Sequence, residues 1–189
     1  MDEWEKTEVV LEFIQAVSAL FVAIMAAVGV NSWRAELVLR RKLEVLDSAY
    51  KDLTTAIDSI NFMRDFWTVA EGINGVYPNI KLKFDSCHLN FMRLAEAKTQ
   101  LEIVDLNDLA LEIEKIRVIP HEILAAARTL DNNISKIQNE TNPEFKSRMQ
   151  AQVEDCDRKV YYRVDDYYQS SLQTAKDKFI KIRRKLMNT

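Results

Sequence analysis

The sequence predicts an all-α chain in which an N-terminal transmembrane helix continues into a long helix of an up-down cytoplasmic bundle. Three observations carry that expectation. The stretch VVLEFIQAVSALFVAIMAAVGV, Val9 to Val30, holds only Glu12, Gln15 and Ser18 as polar interruptions. Three Gly and three Pro in 189 residues are too few for a turn-rich sandwich or a doubly wound sheet. Apolar residues elsewhere recur by threes and fours, with no strand-like alternation and no internal repeat.

The elements follow in order. Residues 1–8 form a short acidic N-terminus, with Asp2, Glu3, Glu5 and Glu8 against Lys6. Residues 9–30 form the span: 22 residues of helix extend roughly 33 Å, enough for a hydrocarbon core. A secretory signal would want a basic start, a shorter apolar run and a small-residue cleavage site; this segment has none of them. A buried core helix would want a polar face, and Leu20 to Val30 has none.

Residues 31–189 form the bundle. Asn31 to Ala70 continues the first helix, with a stripe of Leu39, Leu43, Leu46, Tyr50, Leu53, Ile57 and Ile60. GINGVYPN, Gly72 to Asn79, marks a turn. A second helix runs from about Ile80 to Ile103. Asp105 can cap a third, which Pro120 kinks or restarts, ending near Gln138. Asn142 and Pro143 read as N-cap and first helical position of a last long helix, Phe145 through Leu186.

Charge sets the expected orientation. Arg34, Arg40, Arg41 and Lys42 follow the span and only Lys6 precedes it, so the positive-inside rule puts the N-terminus outside and the bundle in the cytoplasm. In a bacterium this is the inner membrane. Cys87 and Cys156, far apart and in no CxxC spacing, fit a reducing compartment. Trp4 and Trp33 flank the span as interface anchors, with Arg34, Arg40 and Arg41 on the inner side.

The span is sided. At 100° per residue Glu12, Gln15, Ala16, Ala19, Ala23 and Ala26 fall on one face, and Val10, Ile14, Val17, Phe21, Met25 and Val28 on the other. Ala19, Ala23 and Ala27 make a small-xxx-small run that permits close helix approach in lipid. The expected consequence is a homo-oligomer whose small, partly polar face packs inward or lines a pore. Glu12 either faces that interior or snorkels to the outer headgroups. Gln15, one turn deeper, is placed to hydrogen-bond between helices.

Catalytic patterns are missing. His88 and His121 lack a ligand set, and the His121-Glu122 string puts Ala125 where a zinc histidine would stand. No Walker-type loop, GxGxxG or GxSxG occurs. The chain is expected to be no enzyme and to need no cofactor or metal. Residues 31–189 carry a net charge of only +1, no footprint for duplex nucleic acid. The run Tyr161-Tyr162-Arg163-Val164-Asp165-Asp166-Tyr167-Tyr168 reads as helix-contact tyrosines, because two aspartates interrupt any basic groove. The C-terminal KDKFIKIRRKL is basic and amphipathic; it touches anionic lipid or RNA, or is a solvated helix end.

From Ala26 to Arg64 the chain resembles small bacterial single-span proteins with a Trp-Arg-x-Glu-Leu exit, here Trp33, Arg34, Glu36 and Leu37, leading into a helical cytoplasmic domain. One group of this shape is the membrane pore accessory protein of type VI-B CRISPR systems. The resemblance implies a multimeric membrane pore, a degenerate HEPN-like bundle, a role in antiphage defence and a cytoplasmic defence protein or RNA-guided complex as partner. The HEPN nuclease pattern R-x4-6-H is not met: Arg117 lies one position too close to His121. No nuclease role is implied. The alternative is a membrane-tethered scaffold that recruits a partner without forming a pore.

Overall fold

The computed structural model describes residues 3–65, 75–161 and 167–188, with side chains from Phe13 onward. Every regular element among them is helical: α1 Glu3–Met63, α2 Val76–Ile103, α3 Asn107–Ile137, α4 Pro143–Val160 and α5 Gln169–Met187. The chain divides into two compact units, Met1–Lys42 and Leu43–Thr189. The first unit is helical throughout its described length, because nothing between Trp4 and Lys42 breaks a helix except Gly29. A Cβ at Gly29 would meet no atom within 4 Å, so that glycine is not required by any close approach.

The second unit is the bundle. Its core is one cluster drawn from all five helices: Leu46, Leu53 and Ile60 from α1, Ile80, Leu94 and Leu101 from α2, Leu109, Ile116 and Ile123 from α3, Val160 from α4 and Phe179 from α5. Most of these spacings are sevens, which Cys87 and Leu130 continue, with Ala49, Ile57, Phe91 and Ile113 filling the threes and fours between them. That is the seam of near-parallel helix packing. Helix α3 packs against α2, α4 and α5. The bundle part of α1 meets α5 through Tyr50 and Phe179, ring centroids 6.0 Å apart, and α2 through Asn90 donating to Ser59 Oγ at 2.9 Å.

Several boundaries differ from the sequence expectation. Helix α2 begins at Val76, inside the expected turn, since Pro78 in a first turn forfeits no hydrogen bond. Asp105 does not cap α3; it closes α2. It sits at φ 59° while Leu106 N donates to Leu101 O (2.9 Å) and Asp105 N to Glu102 O (3.2 Å), the paired bonds of a Schellman ending. Helix α3 runs through the buried Pro120 without restarting.

The expected single last helix is two. Tyr161 is extended (φ −104°, ψ 139°) and ends α4; α5 starts at Gln169, with residues 162–166 outside those described. Likewise α1 ends at Met63 rather than Ala70, and residues 66–74 lie outside the described set. The expected cap at Asn142 is in place: its Oδ1 accepts from Glu144 N (3.0 Å) and Phe145 N (3.4 Å), with Pro143 beginning the helix.

Candidate functional site

Helical backbone from Glu3 to Met63 carries Gln15, Ala16, Ala19, Ala23 and Ala26 onto one face, since each lies within about 60° of a common line at 100° per residue. The side chains of Glu12 and Trp4 lie outside the described residues. All side chains from Phe13 to Val38 are exposed. Phe13 is 69% accessible and Val22 65%, within a helix whose most apolar window reaches a mean hydropathy of 2.3 and is not buried anywhere. A water-soluble monomer rarely leaves so large an apolar surface uncovered. One helix of this chain is thus long and apolar enough to cross a membrane.

Beyond it, Trp33 is 60% accessible and Arg34 exposed. Arg40 is tied one turn back to Glu36, Nη2 to Oε1 at 2.6 Å, a surface pair worth a fraction of a kcal/mol. Arg41 is exposed as well. These four residues share a stretch of α1 but not one face: at 100° per residue Trp33 and Arg40 point one way and Arg34 and Arg41 another.

No protein-family model, curated protein or solved structure matches this chain. The site therefore rests on its own chemistry.

In the bundle His88 and His121 are exposed and flank one ring, Phe84, at 6.0 and 5.4 Å between centroids. Arg117 is held by Glu114 (Nη2 to Oε1, 2.7 Å). Among the described residues no three His, Cys, Asp or Glu side chains converge as a metal set. Cys87 and Cys156 are both buried free thiols, and burial raises the Cys156 pKa.

Sequence reasoning missed a polar corner where α1 and α4 both end. Arg64, fully buried, donates from Nε to Lys159 O (2.9 Å) and from Nη2 to Arg158 O (3.1 Å) and Tyr161 O (2.9 Å). These are the terminal carbonyls of α4, where a cation also meets the negative end of the helix dipole. Lys83 does the same for α1, with Nζ 2.9 Å from Phe62 O and 3.3 Å from Asp65 O. Burial pushes the Lys83 ammonium pKa down.

The Arg64 guanidinium also lies 5.1 Å from the ring centre of Tyr168, whose hydroxyl donates to Glu122 Oε2 at 3.0 Å. Burial first, then that carboxylate, pushes the Tyr168 phenol above its ordinary range. The signal was present in the register: Arg64 follows Ile60 by four and Lys83 follows Ile80 by three, so both fall on core faces. The chemistry of this corner is helix capping. It fixes where α4 stops.

Proposed function

We propose that the chain is a single-pass inner-membrane protein that self-associates through the small face of its apolar helix, and that the assembled spans form a pore. The observation supporting this reading is the wholly exposed stripe of Gln15, Ala16, Ala19, Ala23 and Ala26 on a helix of membrane-crossing length. Small side chains let helix backbones approach in lipid, and Gln15 supplies an interhelical hydrogen bond. Deeper than Ser18 the face is alanine only, down to Val30. That half of a pore is an apolar constriction, the kind that closes by dewetting.

The bundle is the cytoplasmic part in this reading, on the side given by Arg34, Arg40 and Arg41. Cyclic assembly requires that each copy pack head-to-tail on the next, through the two edges of this face, with a rotation that closes. The resemblance of Ala26 to Arg64 to the type VI-B accessory group makes antiphage defence, beside a cytoplasmic RNA-guided partner, the proposed setting. The same absence of polar groups below Ser18 favours a second reading, a tether whose spans pack tightly and conduct nothing.

Particle imaging and light scattering of the detergent-solubilised full-length protein test the assembly, and solute leakage from reconstituted vesicles tests the pore. The expected result is a closed ring that leaks. Ala23→Ile, on the small face, breaks the ring, whereas Val28→Leu, on the opposite face, leaves it. A monomer or dimer would sink the pore; a ring that never leaks leaves the tether.

A further inference from the structure

Helices α3 and α5 leave a groove between them that neither the core nor the span accounts for. Its volume is about 740 Å³, within the range of small-ligand sites. Its floor is apolar, made by Leu111 (61% accessible) and Ile182. Around that floor stand Lys115 from α3 and Lys178, Lys181 and Lys185 from α5.

Two carboxylates also line it. Asp108 stands at the N-terminal end of the α3 wall. Glu112 is nearly buried and accepts at Oε1 from both Lys115 Nζ (2.8 Å) and Lys178 Nζ (2.5 Å). The lining thus keeps an excess of two positive charges, with the two lysines that Glu112 holds fixed in direction. A smaller cavity of about 150 Å³ shares Glu112 and Lys115 and adds the hydroxyls of Ser170, Ser171 and Thr174. Charge, hydroxyl donors and an exposed hydrocarbon floor meet in one place.

We infer that this groove binds an anionic phospholipid of the bilayer, its phosphate between the lysines and the first methylenes of its acyl chain on Leu111 and Ile182. Lysine is a point-charge phosphate ligand whose aliphatic stem extends an apolar surface, so a ring of lysines over a leucine floor matches an amphiphile better than a free ion. RNA would want aromatic platforms for its bases, and no aromatic side chain lines the groove. The groove lies toward the C-terminal end of α5, the end that packs on the first bundle turns of α1: Arg183 Nε is 2.7 Å from Asp47 Oδ1, and Phe179 contacts Tyr50. Those turns are the bundle residues nearest in the chain to the apolar segment. The inference rests on the membrane reading above, because a tethered bundle meets lipid continuously while a free one does not.

The experiment uses the full-length protein in neutral detergent, titrated with phosphatidylglycerol, phosphatidylcholine or glycerol 3-phosphate and followed by thermal unfolding and native mass spectrometry. Phosphatidylglycerol is expected to bind saturably and raise the melting temperature; phosphatidylcholine and the tail-less glycerol 3-phosphate are not. Lys115→Gln and Lys181→Gln each weaken binding about fivefold, and together about 25-fold. Leu111→Glu, an exposed substitution, abolishes it. Equal binding of phosphatidylcholine, or unchanged phosphatidylglycerol binding in these variants, overturns the inference. So does equal binding of glycerol 3-phosphate, or displacement of the lipid by an oligonucleotide or acidic peptide at lower concentration. Failure of the membrane reading looks different: the protein then stays in solution without detergent and partitions into no vesicle of any composition.

Discussion

Gly75 and Asp131 act as one device at the start of α2. Gly75 stands at φ 98°, a conformation L side chains rarely adopt, and a Cβ built there falls 2.9 Å from Asp131 Oδ2. The space is taken because Asp131, 55 positions after Val76, reaches across from α3 to accept from Val76 N (3.0 Å) and Tyr77 N (2.8 Å). The carboxylate does for α2 what a local Ser or Asp does for most helices, and it sits at the positive end of the dipole. Gly75→Ala is therefore expected to destabilise the bundle by about 1–3 kcal/mol through backbone strain and displacement of that cap. Denaturant unfolding of the full-length protein measures it; a change within experimental error would mean that the cap does not form. Nothing in the sequence around Gly75 announces the arrangement, since the capping residue belongs to another helix.

The helices themselves were largely legible. The stripe expected on α1 is core from Leu46 through Ile60, with Tyr50 packed against it, and Asn142-Pro143 starts α4 as its residue types require. Periodicity reports burial because burial is what selects the apolar positions. The break between α4 and α5 was not legible for the same reason. Val153, Cys156, Val160, Val164 and Tyr167 keep helical spacing, and no Gly or Pro interrupts them. What ends α4 is Arg64, arriving from α1 to take its last carbonyls. The α3–α5 groove was foreseen only in part, as a basic amphipathic C-terminal segment; its α3 wall is a tertiary fact.

The Glu112 cluster on those two helices carries a pH signature. Burial alone would raise its carboxyl pKa, but hydrogen bonds from Lys115 and Lys178 outweigh that and hold it below its ordinary value of 4.5. A group depressed in the folded state adds stability that is complete above the unfolded value and disappears as pH falls through the folded one. Glu114, held down chiefly by Arg117, adds a smaller, solvent-screened contribution in the same window. Melting temperature should thus drop below about pH 4.5, and Glu112→Gln should flatten that acid limb. A Glu112→Gln profile parallel to the wild type would show that the two lysines do not stabilise the ionised carboxylate.

At the scale of the molecule, the two units differ in what they need around them. Among the described residues every buried core residue belongs to Leu43–Thr189, while the side chains from Phe13 to Val38 are exposed. A fragment of residues 43–189 is expected to be soluble without detergent, helical by circular dichroism and cooperative on heating, since it keeps the whole cluster. The full chain is expected to need detergent or lipid. An aggregated fragment, or one that melts without cooperativity, would mean that the first unit supplies contacts the bundle cannot do without. On that expectation the small face of the apolar helix has no duty in folding the bundle, and what was readable of it in the sequence was its periodicity alone.

Arg64 also fixes an order of events. Its carbonyl partners lie 94 to 97 positions later in the chain, and α5, which completes the core, later still. At ordinary translation speeds that interval is on the order of ten seconds. Throughout it α1 has already been made, its apolar segment first, while the helix end that Arg64 must cap does not yet exist. The apolar segment is therefore available to a bilayer well before that corner can close, and the arginine acts as a late latch that engages only once the end of α4 has been made.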